Sequence, residues 1–142
     1  MNKEVIREVE NYFSMYYDQE YIKNEIINNY TNIEKQYKND DEISLEVYMT
    51  AMLKNTLLIG IINRVKEKDD IESEIFMIDK FSFVHDLYVR RNQIESNFNL
   101  YEEAISEAIV TYDKHSSFTS YLYKVICKQY QLHKAKSLKK EL

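Results

Sequence analysis

A chain of 142 residues with no proline and one glycine, Gly60, has little from which to build tight turns. Strand-rich folds place those residues at hairpins and bulges, so their scarcity predicts an all-α protein with short polar connections. The length fits a single domain with a real core, and 44% apolar against 30% charged residues is a globular balance. Tyrosine occurs 13 times and tryptophan never. Tyrosine packs like a hydrophobe yet carries a hydroxyl, so most of these rings are expected half-buried at helix seams.

Helical spacing of apolar residues predicts a compact bundle of about six helices. The first, about Lys3 to Asp18, carries Val5, Ile6, Val9, Phe13 and Tyr16. The second, about Gln19 to Lys38, uses Tyr21, Ile22, Ile26, Ile27, Tyr30, Ile33 and Tyr37, and the polar run Asn39-Asp40-Asp41 ends it. The third, about Ser44 to Lys66, is apolar nearly all round and belongs in the middle of a bundle. Asp69 with Glu72 is a capping pair for a fourth helix reaching about Arg90, and Asn99 with Glu102 for a fifth. The sixth runs from about Ser117 to Ser137. These divide into N-terminal helices over about 1–70 and a C-terminal half over about 75–140. Ser44-Leu45-x-x-Tyr48-Met49-x-x-Met52-Leu53 is echoed by Ser117-Phe118-x-x-Tyr121-Leu122-x-x-Val125-Ile126 at a constant offset of 73, a weak sign of internal repetition.

One cysteine, Cys127, excludes an internal disulfide and fits a reducing cytoplasm. No charged-then-apolar leader opens the sequence, and the longest apolar run, Thr56 to Ile62, is too short to cross a bilayer, so a soluble, cytoplasmic protein without a membrane partner is expected.

Charge is unevenly placed. From Asp113 onward there are seven lysines and two acids, whereas the preceding residues hold 12 basic and 22 acidic side chains. On the sixth helix Phe118, Tyr121, Leu122, Val125, Gln129 and Leu132 form the core face, with Tyr123, Cys127, Tyr130 and Lys134 opposite. Lys124 and Lys128 flank the core stripe, and Lys136, Lys139 and Lys140 extend the charge. Outward tyrosines beside lysines suit nucleic acid, ammonium groups pairing with phosphates while rings stack on bases. Packing of Tyr123 and Tyr130 on other helices or on a partner subunit is the alternative, open at this level.

Phe118-Thr119-Ser120-Tyr121-Leu122-Tyr123-Lys124-Val125-Ile126, preceded by Tyr112-Asp113-Lys114, resembles the promoter-melting segment of bacterial sigma factors. In that family a Tyr/Phe-Asp turn leads into Phe-Ser-Thr-Tyr-x-Tyr and a basic, aromatic helix. Asn99-Leu100-Tyr101-Glu102-Glu103 is similar to the family's Asp-Leu-x-Gln-Glu, which docks on the polymerase clamp. The resemblance covers about Ile75 to Lys136. It implies that Phe118 and Tyr121 hold a flipped adenine of the minus-ten element, that Lys124 and Lys128 face melted or upstream promoter DNA, and that Glu102 and Glu103 meet core RNA polymerase. Three features depart from the family. Lys124-Val125 stands where paired tryptophans are common, and the spacing from Asn99 to Phe118 is shorter by about one helical turn. No helix-turn-helix for a minus-thirty-five element follows, so the resemblance is to a lone sigma module, to a split one whose partner subunit carries the helix-turn-helix, or to a relative that kept the fold without promoter recognition.

Catalytic signatures are absent. His85, His115 and His133 show no metal-binding spacing, Cys127 has no suitably spaced basic partner, and one glycine builds no phosphate-cradling loop. The sequence therefore predicts no enzyme, no metal and no cofactor. A sigma-like, transcription-associated protein is the leading expectation. Its rivals are a phage or mobile-element regulator that binds proteins like an anti-sigma adaptor, and a homodimer joined by exposed tyrosines.

Overall fold

The computed structural model describes residues 1–39 and 42–141, so the break expected at Asp40-Asp41 lies outside the described residues. Those residues are all-α, with no strand among them: α1 (Lys3–Tyr12), α2 (Gln19–Gln36), α3 (Leu45–Lys68), α4 (Ile71–Lys80), α5 (Ser82–Asn92), α6 (Phe98–Thr111) and α7 (Phe118–Glu141). The seventh helix arises because the expected fourth is interrupted at Phe81. There the Ser82 hydroxyl donates to the Asp79 carbonyl at 3.1 Å, a side-chain bond that bends helices. The expected first helix is shortened, since Gln19 Nε2 donates to the Phe13 and Tyr16 carbonyls at 2.8 and 2.6 Å and holds a turn where a helix would run on.

Helix ends are set by side chains rather than by glycine. Asn2, Asp18, Ser44 and Asn97 accept first-turn N–H groups of α1, α2, α3 and α6. Two expected caps are displaced. Asp70, not Asp69, receives the backbone N–H groups of Ser73 and Glu72 at the start of α4. Asn97, not Asn99, opens α6 by accepting the Leu100 N–H at 3.3 Å. Asp69 and Gln93 take the left-handed conformation at the ends of α3 and α5, φ 49° and 53°, a place usually left to glycine.

The described chain clusters into two compact units, Met1–Ser73 and Glu74–Leu142, where the sequence was read as one domain with two halves. In unit 1, α3 packs on both α1 and α2. Val9, Phe13, Ile22, Leu53, Leu57 and Ile61 are its fully buried centre. Arg64 pins one end: its guanidinium donates to Tyr16 Oη at 3.0 Å and Asp18 Oδ2 at 3.2 Å and lies 3.6 Å from the Tyr21 ring centroid. One 18-residue window of α3 averages 1.4 in hydropathy, so this helix is long and apolar enough to cross a membrane, contrary to the expectation from its shorter uninterrupted run. Its apolar face is buried against α1 and α2.

In unit 2, α7 packs on both α5 and α6. Thus α3 and α7 hold the same place, are equally long, and stand 73 residues apart from first residue to last. Buried Met49 and Leu53 correspond to buried Leu122 and Ile126 at that offset. The short echo in the sequence is thus matched in helix length and in the buried residues of the first half of each helix.

Candidate nucleic-acid interface

The sequence-derived site lies on α7 and α6, both in unit 2. Ser117 starts α7, its hydroxyl accepting the Ser120 N–H at 3.2 Å. Phe118, next along, is 2% exposed. Its ring meets Phe81 edge-on at 5.0 Å and Tyr112 at 5.3 Å, so it anchors the helix in the core and presents no face to a base. The resemblance-based role of Phe118 as a platform for a flipped adenine is corrected on this ground. Tyr121 is half-buried, its ring 5.7 Å from Tyr112 and its hydroxyl 2.6 Å from Thr111 Oγ1, which leaves part of the ring open to solvent.

Tyr123 and Tyr130 do not point away from the body of the unit. Tyr123 packs edge-on against Tyr88 at 5.7 Å, with the Arg91 guanidinium 5.8 Å from its centroid. Tyr130 lies 5.0 Å from Tyr88, forms a 2.6 Å hydrogen bond with His85 Nε2, and accepts the Asn97 N–H at 2.9 Å. The reason is geometric. A helix clasped by two neighbours buries a wider arc than one apolar stripe, and tyrosine suits the second seam because its hydroxyl can satisfy polar groups there. The same packing leaves both rings half-buried in the seam.

His85 is the polar centre of that seam. It is 3% exposed and stacks on Tyr101 at 5.0 Å and 12°. Burial pushes its pKa below the ordinary 6.5, with Asp86 opposing, so the ring is neutral at physiological pH. The Tyr130 hydroxyl shares a proton with Nε2 in a direction set by the imidazole tautomer, and the Asn97 carbonyl, 3.4 Å away, is its other acceptor. His85 and Asn97 were not singled out from the sequence, where neither has a distinguishing motif.

The lysines divide into two sets. Lys128 Nζ sits 2.6 Å from Glu107 Oε1, and that ammonium holds the Glu107 carboxyl below its ordinary 4.5, Gln129 assisting and partial burial opposing. Lys124 and Lys134, and beyond them Lys136, Lys139 and Lys140, are exposed and form no ion pair with a described residue. Leu132, expected on the core face, is 48% exposed, because there α7 only borders an open cleft with Asn99 and Glu103 rather than packing closely. Every residue from 131 to 141 is exposed.

On α6, Asn99, Glu102 and Glu103 face solvent, whereas Leu100 is 7% exposed and belongs to the core, which corrects its assignment as a polymerase contact. Beside the start of α6 runs an open cleft of about 860 Å³, bounded by Asn92, Glu95 and Phe98 on one side and Tyr130, His133 and Lys134 on the other. Among the described residues no three His, Cys, Asp or Glu side chains converge as a metal site requires. What the arrangement offers is a row of unpaired cations on one helix and exposed carboxylates on the next. No protein-family model, curated protein or solved structure matches this chain.

Proposed function

We propose that this protein is transcription-associated and sigma-like, with unit 2 engaging nucleic acid through α7 and core RNA polymerase through the exposed Asn99, Glu102 and Glu103. The observation that carries the reading is the set of lysines on α7 without ion partners, in a chain that is acidic overall. Unpaired ammonium groups release counterions when they meet phosphate, which drives binding without any sequence reading. Lys124, Lys134 and the open edge of Tyr121 form the accessible part of the proposed surface, and Lys128 joins it by exchanging Glu107 for phosphate. Phe118 and Leu100 support it from the core.

The test is fluorescence anisotropy with single-stranded minus-ten-like DNA, with and without core polymerase, across a salt series. Binding that weakens with salt and with Lys124→Ala is expected, and reversing Glu102 and Glu103 to Lys should weaken retention by polymerase. Absence of binding under all these conditions sinks the proposal. A second reading, a protein-binding adaptor, is favoured by unit 1. Residues 1–73 hold fifteen acids and nine bases, and Glu4, Glu46 and Glu8, the last paired with Lys54 at 3.5 Å, rim a groove of about 400 Å³ over Val47 and Ala51. A basic partner retained by unit 1 surface acids, with no nucleic acid bound, would select it.

A further inference from the structure

The two units make an internal comparison. In unit 1 the second half of α3 is covered: Leu57, Leu58, Ile61 and Ile62 are buried, and Arg64 is tied to Asp18 and Tyr16. The equivalent stretch of α7, 73 residues on, is bare from Gln131 to Glu141. It is not a core helix that has lost its lid. Lys136 follows Phe118, and Lys140 follows Leu122, by five turns of about 3.6 residues, so each lysine points where a core residue pointed earlier. The direction that is buried in the first half is positively charged in the second.

Lysines also lie on the other side. Lys134 precedes Lys136 by two residues, about 200° around the axis. The bare segment is thus a rod about 16 Å long with cations on two opposed faces. A flat acidic protein surface would use only one of those faces. The major groove of B-form DNA is about 12 Å wide, admits a helix of about 10–12 Å diameter, and places phosphates on both walls. A-form RNA has a narrow, deep major groove that excludes such a rod.

Resting on the nucleic-acid reading above, we infer that residues 131–141 form an arm that docks in the major groove of double-stranded DNA, held by Lys134, Lys136, Lys139 and Lys140. The arm carries no arginine, and Gln131, His133 and Ser137 are its few uncharged polar side chains against four lysines, so the binding is mainly through phosphate and largely tolerant of sequence.

The experiment uses the full chain and three labelled probes of one sequence: duplex DNA, one of its strands, and duplex RNA. Four phosphate contacts predict that duplex DNA affinity falls on the order of 100-fold between 50 and 200 mM salt. The variant K134A/K136A/K139A/K140A should lose that binding and its salt dependence while keeping the helical circular dichroism signal of residues 1–130, since all four side chains are exposed. Lys23→Ala, an exposed lysine of unit 1 outside the proposed surface, should retain duplex binding. Duplex binding that survives the fourfold variant overturns the arm and leaves the broader nucleic-acid reading standing. A fourfold variant that loses single-strand or duplex-RNA binding as fully as duplex-DNA binding overturns the groove assignment. Failure to bind any of the three, with or without retention on polyglutamate, overturns both.

Discussion

Replacing Tyr130 by phenylalanine removes one oxygen and leaves the ring against Tyr88. That oxygen satisfies His85 Nε2 and the Asn97 N–H, two groups on different segments of unit 2. Leaving the buried His85 nitrogen without a partner costs about 1–3 kcal/mol. The Asn97 amide is only half-buried and reaches water, so it adds about 1 kcal/mol at most. A total of about 2–3 kcal/mol is expected, which for a urea slope of about 2 kcal/mol per molar moves the midpoint by about 1 M. Tyr123→Phe is the matched control. Its hydroxyl bonds no described residue, so its midpoint should move by less than about 0.5 kcal/mol equivalent. The pH dependence adds a second reading. Because burial depresses the folded His85 pKa, the unfolded chain takes up a proton first as pH falls below 6.5, and stability drops there until pH passes below the folded value. If Tyr130→Phe and Tyr123→Phe were equally mild, the buried network would be refuted, and with it the argument that α7 tyrosines serve the seam.

Two further outcomes follow from the same kind of reasoning. A methyl group at Gly60 would overlap Tyr21 Oη, whereas Tyr21 Cζ would be at an ordinary 3.6 Å. Gly60→Ala should therefore cost about 1–3 kcal/mol in the native background, yet gain up to about 1 kcal/mol of helix preference once Tyr21→Phe is present, and the same sign in both backgrounds by thermal denaturation would dismiss the clash. Lys128→Ala should cost less than about 1 kcal/mol at neutral pH, since the pair with Glu107 is partly exposed. That cost is present above the ordinary Glu107 value of 4.5 and disappears as pH falls through the depressed one, which urea melts at two pH values would detect.

Helix identity was legible because it rests on local signals. The missing prolines, the capping serines Ser44 and Ser117 and the 3.6-residue stripes all act within a turn or two. Boundaries that depend on a competing side-chain bond were not legible: Gln19 truncating α1, Ser82 interrupting at Phe81, and Asn97 capping in preference to Asn99 two residues later. The candidate site failed in a more instructive way. An apolar stripe reports one neighbour, so Phe118, Leu122 and Val125 were placed correctly on the buried side. The second neighbour of α7 is met through Tyr123 and Tyr130, whose mixed character reads equally well as a binding platform or a seam. Only their partners, Tyr88, His85 and Asn97, decide between those readings, and these are brought in by α5 and the segment before α6. Leu132 erred in the opposite direction, because no periodicity announces where a helix outruns the elements it packs on.

A helix whose side chains are all exposed is held mainly by its own residues. The arm begins as a continuation of the packed half of α7, so it needs no nucleation, and its glutamine, alanine, leucines and lysines all favour the helical backbone. Its lysines work against it. Lys136 and Lys140 stand one turn apart, a like-charge spacing that costs a few tenths of a kcal/mol, while the helix dipole returns a similar amount near the C-terminus. Salt screens that repulsion. It also screens the attraction of the same ammonium groups for phosphate. Ionic strength thus has opposite effects on the order of the arm and on its grip: low salt frays the free helix and tightens its hold on a polyanion, and occupancy by phosphate supplies the counter-charge that lets the last turns close.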